Sequence, residues 1–114
     1  MTGAADGLGK AFALALAQAG ADVAICDISS SVSAVADEVK TIGVKSYSAV
    51  ADVANEKQIK KFVDDAALAL GGLDLVISNA GVVRITAPTK DSWEKTVDDF
   101  DAVIGVNYRG VYLT

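Results

Sequence analysis

The stretch Thr2-Gly3-Ala4-Ala5-Asp6-Gly7-Leu8-Gly9, running straight into an alanine-rich segment, constrains the fold more than any other feature of the chain. Glycines at 3, 7 and 9 mark a tight loop. Ala11, Ala13, Ala15, Ala17 and Ala19 predict a helix over 8–19, with Gly20 as its cap. Side chains that small let a helix lie close against a sheet. A strand is expected next over 22–26, ending at Asp27. A helix follows over 31–42, with Val32, Val35, Ala36, Val39 and Ile42 on one face, opened by Ser29 or Ser30 and closed by Gly43. The alternating segment Lys45–Val50 reads as an edge strand with one wetter face. Asn55 and Gln58 have capping-box spacing before a helix carrying Ile59, Phe62, Val63, Ala66 and Leu70. Leu73–Ser78, almost continuously apolar after Gly71-Gly72, predicts a central parallel strand covered on both faces. Thr96 is expected to cap a last helix, with Asp98 and Asp99 in its first turn and Trp93 packed just ahead of it.

Short apolar runs alternating with helical patterns predict an α/β fold, a doubly wound parallel sheet with helices on both faces. The 114 residues suffice for one domain, 1–114, and 52% hydrophobic content can fill a core. A net charge of −5 without a basic patch argues against nucleic acid and anionic membrane surfaces as partners. Without histidine there is no Ser-His-Asp triad and no ordinary zinc site. The lone Cys26 lies in an apolar run and reads as a buried strand residue; a reducing, cytoplasmic setting is expected. Asp64-Asp65 and Asp98-Asp99 read as solvated helix faces, with Lys60 and Lys61 as i,i+4 partners of the first pair.

A glycine loop opening a helix is the arrangement a pyrophosphate needs, because backbone amides and the helix N-terminus can then approach it. Alone, such a loop can equally be a plain turn. A second feature falls at the right distance: Asp27 ends the next strand 18 residues after Gly9, where a carboxylate can accept hydrogen bonds from an adenosine ribose. The same carboxylate would repel a 2′-phosphate, no Lys or Arg stands beside it, and Asp6 adds negative charge inside the loop. Both acids favour NAD over NADP.

With these residues in view, the chain resembles the short-chain dehydrogenase/reductase family. The Thr-Gly-x-x-x-Gly-x-Gly loop stands as Thr2 to Gly9, and the Asn-Asn-Ala-Gly motif as Ser78-Asn79-Ala80-Gly81, with Ser replacing the first Asn. The Asp-Val pair is Asp52-Val53, and the helical Asn is Asn107. The resemblance runs from end to end and implies a Rossmann-type sheet. It implies that Gly3, Gly7 and Gly9 line the pyrophosphate and Leu8 gives backbone contact near the nicotinamide end. It further implies that Asp27 holds the adenosine ribose and Asp52 and Val53 contact adenine. Asn79, Ala80 and Gly81 would stabilise the central sheet and pass beside the cofactor ribose. Asn107, the one member of the catalytic set present, would bend its helix through its backbone and hold a water in a proton relay. The implied partner is a small alcohol or carbonyl substrate, and the implied assembly a homo-oligomer, tetramer or dimer.

The family's Tyr-x-x-x-Lys pair is not found: Tyr47 is followed at that distance by Ala51 and Tyr108 by Tyr112. Only Met1 precedes the glycine loop where the central first strand should run. The expectation is therefore an incomplete sheet, its first strand truncated and its C-terminal half absent, marginal or insoluble on its own. Two rivals stay open: an NAD-binding regulatory module without turnover, and a methyltransferase holding S-adenosylmethionine through the same loop and acid. The Ser78–Gly81 and Asn107 matches argue against the second.

Overall fold

The computed structural model describes residues 1–85, 87 and 90–114. It is an α/β fold built on two parallel strands, β1 (Val23–Asp27) and β2 (Ser46–Val50), in register from Val23 opposite Ser46 to Asp27 opposite Val50. Because successive strand side chains point to opposite faces, β1 feeds two cores. Val23 and Ile25 pack with Ala13 and Ala17 of α1 (Gly7–Gln18) and with Val32, Val35, Ala36 and Val39 of α2 (Val32–Thr41). Ala24 and Cys26 face the other way, onto Ile59, Phe62 and Ala66 of α3 (Glu56–Leu70) and onto Ala51 and Val53. Helices thus cover both faces of the sheet, as the doubly wound expectation requires. Among the described residues β2 pairs only with β1, and it is half-buried along most of its length, the edge character read from its alternation.

Beside β1, away from β2, lie Met1 and Thr2. The Cys26 amide donates to the Met1 carbonyl (3.0 Å), Ala4 N–H to the Cys26 carbonyl (3.3 Å), and Thr2 N–H to the Ile77 carbonyl (3.1 Å). Thr2 is bridged in parallel to Cys26. Residues 73–78 therefore run on the far side of Thr2, in the place expected of a central strand, but they do not form one. A strand is held by ladder bonds to neighbours. Ile77 receives one from Thr2, while Leu73, Leu75 and Val23 border a cavity of 380 Å³. Nor is the segment covered on both faces: Leu75 is 65% and Val76 51% exposed.

Two helix starts and one half of a cap differ from expectation, each for a local reason. α2 begins at Val32 rather than 31, and neither Ser29 nor Ser30 caps it; the Ser29 hydroxyl takes the Ser31 amide instead, tightening the turn that leaves Asp27. Asn55 does cap α3, accepting from Lys57 N (3.1 Å) and Gln58 N (3.2 Å), and Gly71 closes that helix in the left-handed region at φ 88°. Gln58 does not complete the reciprocal box, because its side-chain oxygen accepts from Asp52 N (2.8 Å). The last helix, α4 (Trp93–Ile104), starts before Thr96: Ser92 caps it through Lys95 N, Glu94 occupies its first turn, and Asp98 and Asp99 fall further along. Trp93 is its first residue and is 77% exposed, not packed. α4 continues through a π-helical turn, Gly105–Arg109, into α5 (Gly110–Leu113). On α3 the pairs Lys60–Asp64 and Lys61–Asp65 form at i,i+4 spacing on the solvated face. Among the described residues no helix is long and apolar enough to cross a membrane, and no cluster of His, Cys, Asp or Glu is placed to hold a metal ion.

Candidate functional site

A cleft of 640 Å³ opens at the C-terminal ends of the strands. This is where loops and helix N-termini converge in a parallel α/β sheet. Its walls carry most of the residues singled out by sequence: Gly3, Leu8 and Gly9 from the glycine loop, Asp27, Asp52 and Val53 from the two strand ends, and Asn79, Ala80 and Gly81. Gly7 and Asn107 are not part of that lining. Asp6, Arg84 and Asp101, none of them assigned a role from sequence except Asp6, are.

The three glycines serve different ends. Gly3 has φ 65° and lies so close to the 79–81 segment that a Cβ would stand 2.7 Å from the Ala80 Cα. A Cβ on Gly9 would fall on the Gly3 carbonyl oxygen and 2.7 Å from Asn79 Nδ2. Both positions are glycine because backbone packs on backbone within the chain, a closer reason than room for a ligand. Gly7, with φ 52°, has open space where its Cβ would be. α1 has no side-chain cap: Asp6 at its N-cap bonds none of the first-turn amides, leaving that helix end available to an acceptor.

Asp27 faces the loop. Its Oδ2 accepts from Ala5 N (3.0 Å) and its Oδ1 from Ser29 N (2.9 Å). Two amides hold the carboxylate plane at the mouth of the cleft, and each oxygen keeps further lone-pair capacity. Asp52 is held similarly, with Oδ1 accepting from Ala54 N (2.8 Å).

The residues that fasten the cleft were less legible. The Asn79 side-chain amide donates to the carbonyls of Thr2 (3.1 Å) and Gly3 (2.8 Å), and the buried Thr2 hydroxyl accepts from Ala80 N (3.1 Å). These bonds tie the glycine loop to the 79–81 segment across a separation of 76 to 78 residues. Asn107 reaches the same segment from the π turn: its Oδ1 accepts from Val82 N and its Nδ2 donates to Val82 O, both at 2.8 Å. Asn107 lies within the π turn that joins α4 to α5. Its side chain, however, is committed to Val82. Cys26, at the end of β1 beneath the cleft, is fully buried, and burial pushes its thiol up to about 12, so it stays protonated.

Comparison with known proteins gives the arrangement a context. A family model described as short chain dehydrogenase matches residues 1–114. The chain is 41% identical over 115 residues to versicolorin reductase of Emericella nidulans, covering 99% of this chain and 42% of that protein. It is 34% identical over 122 residues to hydroxysteroid dehydrogenase-like protein 2 of Danio rerio, covering 100% of this chain and 28% of that one. A crystal structure of a short-chain type dehydrogenase/reductase from Mycobacterium marinum superimposes with a TM-score of 0.88 at 36% identity, over 100% of this chain and 44% of the other. The chain thus spans less than half the length of each.

Proposed function

The chain belongs to the short-chain dehydrogenase family, and from that premise we propose that it supplies the cofactor cleft of an oxidoreductase that moves a hydride between NAD and a small alcohol or carbonyl compound. The observation that carries the reading is the Asp27 carboxylate, fixed by the Ala5 and Ser29 amides and facing the uncapped start of α1 across the same cleft. A dinucleotide presents two features suited to these groups, a diphosphate and a ribose diol. The first-turn amides of α1 and the open side of Gly7 suit the diphosphate. The fixed carboxylate suits the diol and repels a phosphate esterified to it.

Bound there, the nicotinamide would supply the hydride chemistry. The chain's own residues bind and orient. Gly3 and Gly9 let α1 approach the 79–81 segment, Leu8 borders the cleft at the loop, and Asp52 and Val53 form the wall assigned to adenine. Asn79 fixes the loop against Ala80 and Gly81, the segment assigned to the second ribose. With its side chain on Val82, Asn107 positions that segment, and any share in proton transfer falls to its backbone carbonyl in the π turn. A homo-oligomer is part of the same reading, supported by the exposed face of α4 bearing Trp93, Val97, Phe100 and Ile104. A cytoplasmic setting suits the single protonated thiol.

The test is a pair of dissociation constants, for NAD and NADP, on the intact protein and on D27A. NAD binds the wild type more tightly, and D27A narrows the gap chiefly by admitting NADP. Equal or tighter NADP binding by the wild type refutes the cofactor assignment.

A further inference from the structure

We propose that Arg109 is a positioning residue that latches the adenine wall of the cleft from the outside, so that it governs affinity for the adenylate half of the dinucleotide and not for the nicotinamide half. The proposal rests on the cofactor reading above. Arg109 ends the π turn, and its guanidinium reaches across to the start of α3: Nη1 donates to the Ala54 carbonyl at 2.9 Å, and Nη2 to Glu56 Oε2 at 3.3 Å. Ala54 is the hinge of the wall. Its amide donates to Asp52 Oδ1 (2.8 Å), while its carbonyl takes Arg109. One bond on each side of the Ala54 Cα fixes both of its backbone torsions, and with them the direction of the Asp52 carboxylate and the Val53 backbone. The neighbouring residue sets the distance. Gly110 packs on Val53 so closely that a Cβ would stand 2.8 Å from Val53 Cγ2, and Gly105 faces the Ala54 methyl, its Cβ position 3.7 Å away. The helix therefore meets the wall at two glycines, with the arginine as the polar fastening between them.

The Glu56 pair itself adds little, since Glu56 is largely and Arg109 half in water. The bond to the carbonyl matters more, because a charged donor holds a neutral acceptor that no other described group satisfies. Arg109 does not itself line the cleft, whereas Ala54 does, so its effect passes through Ala54.

The experiment measures binding of adenosine monophosphate, nicotinamide mononucleotide and NAD to the intact wild-type protein, R109A and R109K. R109A is expected to weaken adenosine monophosphate and NAD about tenfold, the weight of one charged hydrogen bond, and to leave nicotinamide mononucleotide unchanged. R109K, with one ammonium able to reach the Ala54 carbonyl, recovers part of the loss. Unchanged adenosine monophosphate binding in R109A overturns the latch alone, as does equal weakening of both half-ligands, the mark of general damage. A wild type that binds neither half overturns the cofactor reading and the latch with it.

Discussion

Replacing Asn79 separates two ways of losing the same pair of bonds. Its amide nitrogen donates to the Thr2 and Gly3 carbonyls at 3.1 and 2.8 Å, and both acceptors are partly buried where the glycine loop crosses the 79–81 segment. N79A removes the donor and leaves two carbonyls short of a partner, at about 1 kcal/mol each, so a destabilisation of about 2 kcal/mol is expected. N79D is nearly the same shape, yet at neutral pH it sets a carboxylate oxygen against two carbonyl oxygens. That contact raises the new carboxyl's pKa in the folded state above its unfolded value of about 3.9. A raised acid pKa means the native state holds the proton more tightly, so its stability is present at low pH and is lost as pH rises through the folded pKa. Protonated, the carboxylic acid can still donate one bond to Gly3, and near pH 4 the variant should lose only about 1 kcal/mol. Ionised, near pH 7.5, it loses the remaining bond and carries the repulsion; a pKa raised by about 2 represents both effects together and adds about 2.7 kcal/mol, for a total of about 4. The assay is urea unfolding of wild type, N79A and N79D at both pH values, each variant referred to the wild type at the same pH. If N79D tracks N79A at both pH values, or recovers stability as pH rises, the clamp is not what joins these segments.

Three further outcomes follow from neighbouring observations. N55A should cost about 1 kcal/mol in urea unfolding by removing the cap on Lys57 and Gln58 amides, and N55D should restore it; equal losses in both variants would count against the cap. Cys26, buried and pushed up to about 12, should resist iodoacetamide at about pH 8 until the chain unfolds, and stoichiometric alkylation of native protein would contradict its burial. Burial and the hydrogen bond to Asp65 raise the Tyr47 hydroxyl above its ordinary value of 10.0, so that contribution is full below the unfolded value and is lost as pH climbs through the folded one. Phenolate absorbance should show D65N lowering the Tyr47 titration part of the way, with the share due to burial left; no movement would mean that the 3.1 Å bond is not held in solution.

Much of the fold was legible because it rests on short-range rules. The spacing of Val32, Val35, Ala36 and Val39, and of Ile59, Phe62 and Ala66, follows helical geometry, and every one of these residues is buried, whereas Ile42, expected on the first face, falls at the C-cap past the last turn and is exposed. The α3 cap at Asn55 is a local backbone requirement, written in a single residue. The helix starts after Ser31 and Ser92 were not legible because several serines or threonines stand near each start, and whether a hydroxyl caps, as Ser92 does and none does at α2, depends on the turn the chain takes before it. Trp93 was read as packed because large aromatic rings usually are; its exposure is fixed by what stands near α4, which periodicity does not encode.

The sequence by itself determined the glycine loop, the alanine helix behind it and the acid at the end of the next strand, since each needs only a residue type at a fixed short spacing. Tertiary structure alone decided that Ala80 crowds Gly3 and Asn79 crowds Gly9, and that Leu73–Ser78 receives one ladder bond, from Thr2, and forms no strand. It also decided that Asn79, Asn107 and Arg109 spend their side chains on backbone carbonyls and amides across 25 to 77 residues of chain. The physical reason is that an amide or guanidinium carries no mark of its partner. Which carbonyl it meets is settled only when two distant segments are packed side by side.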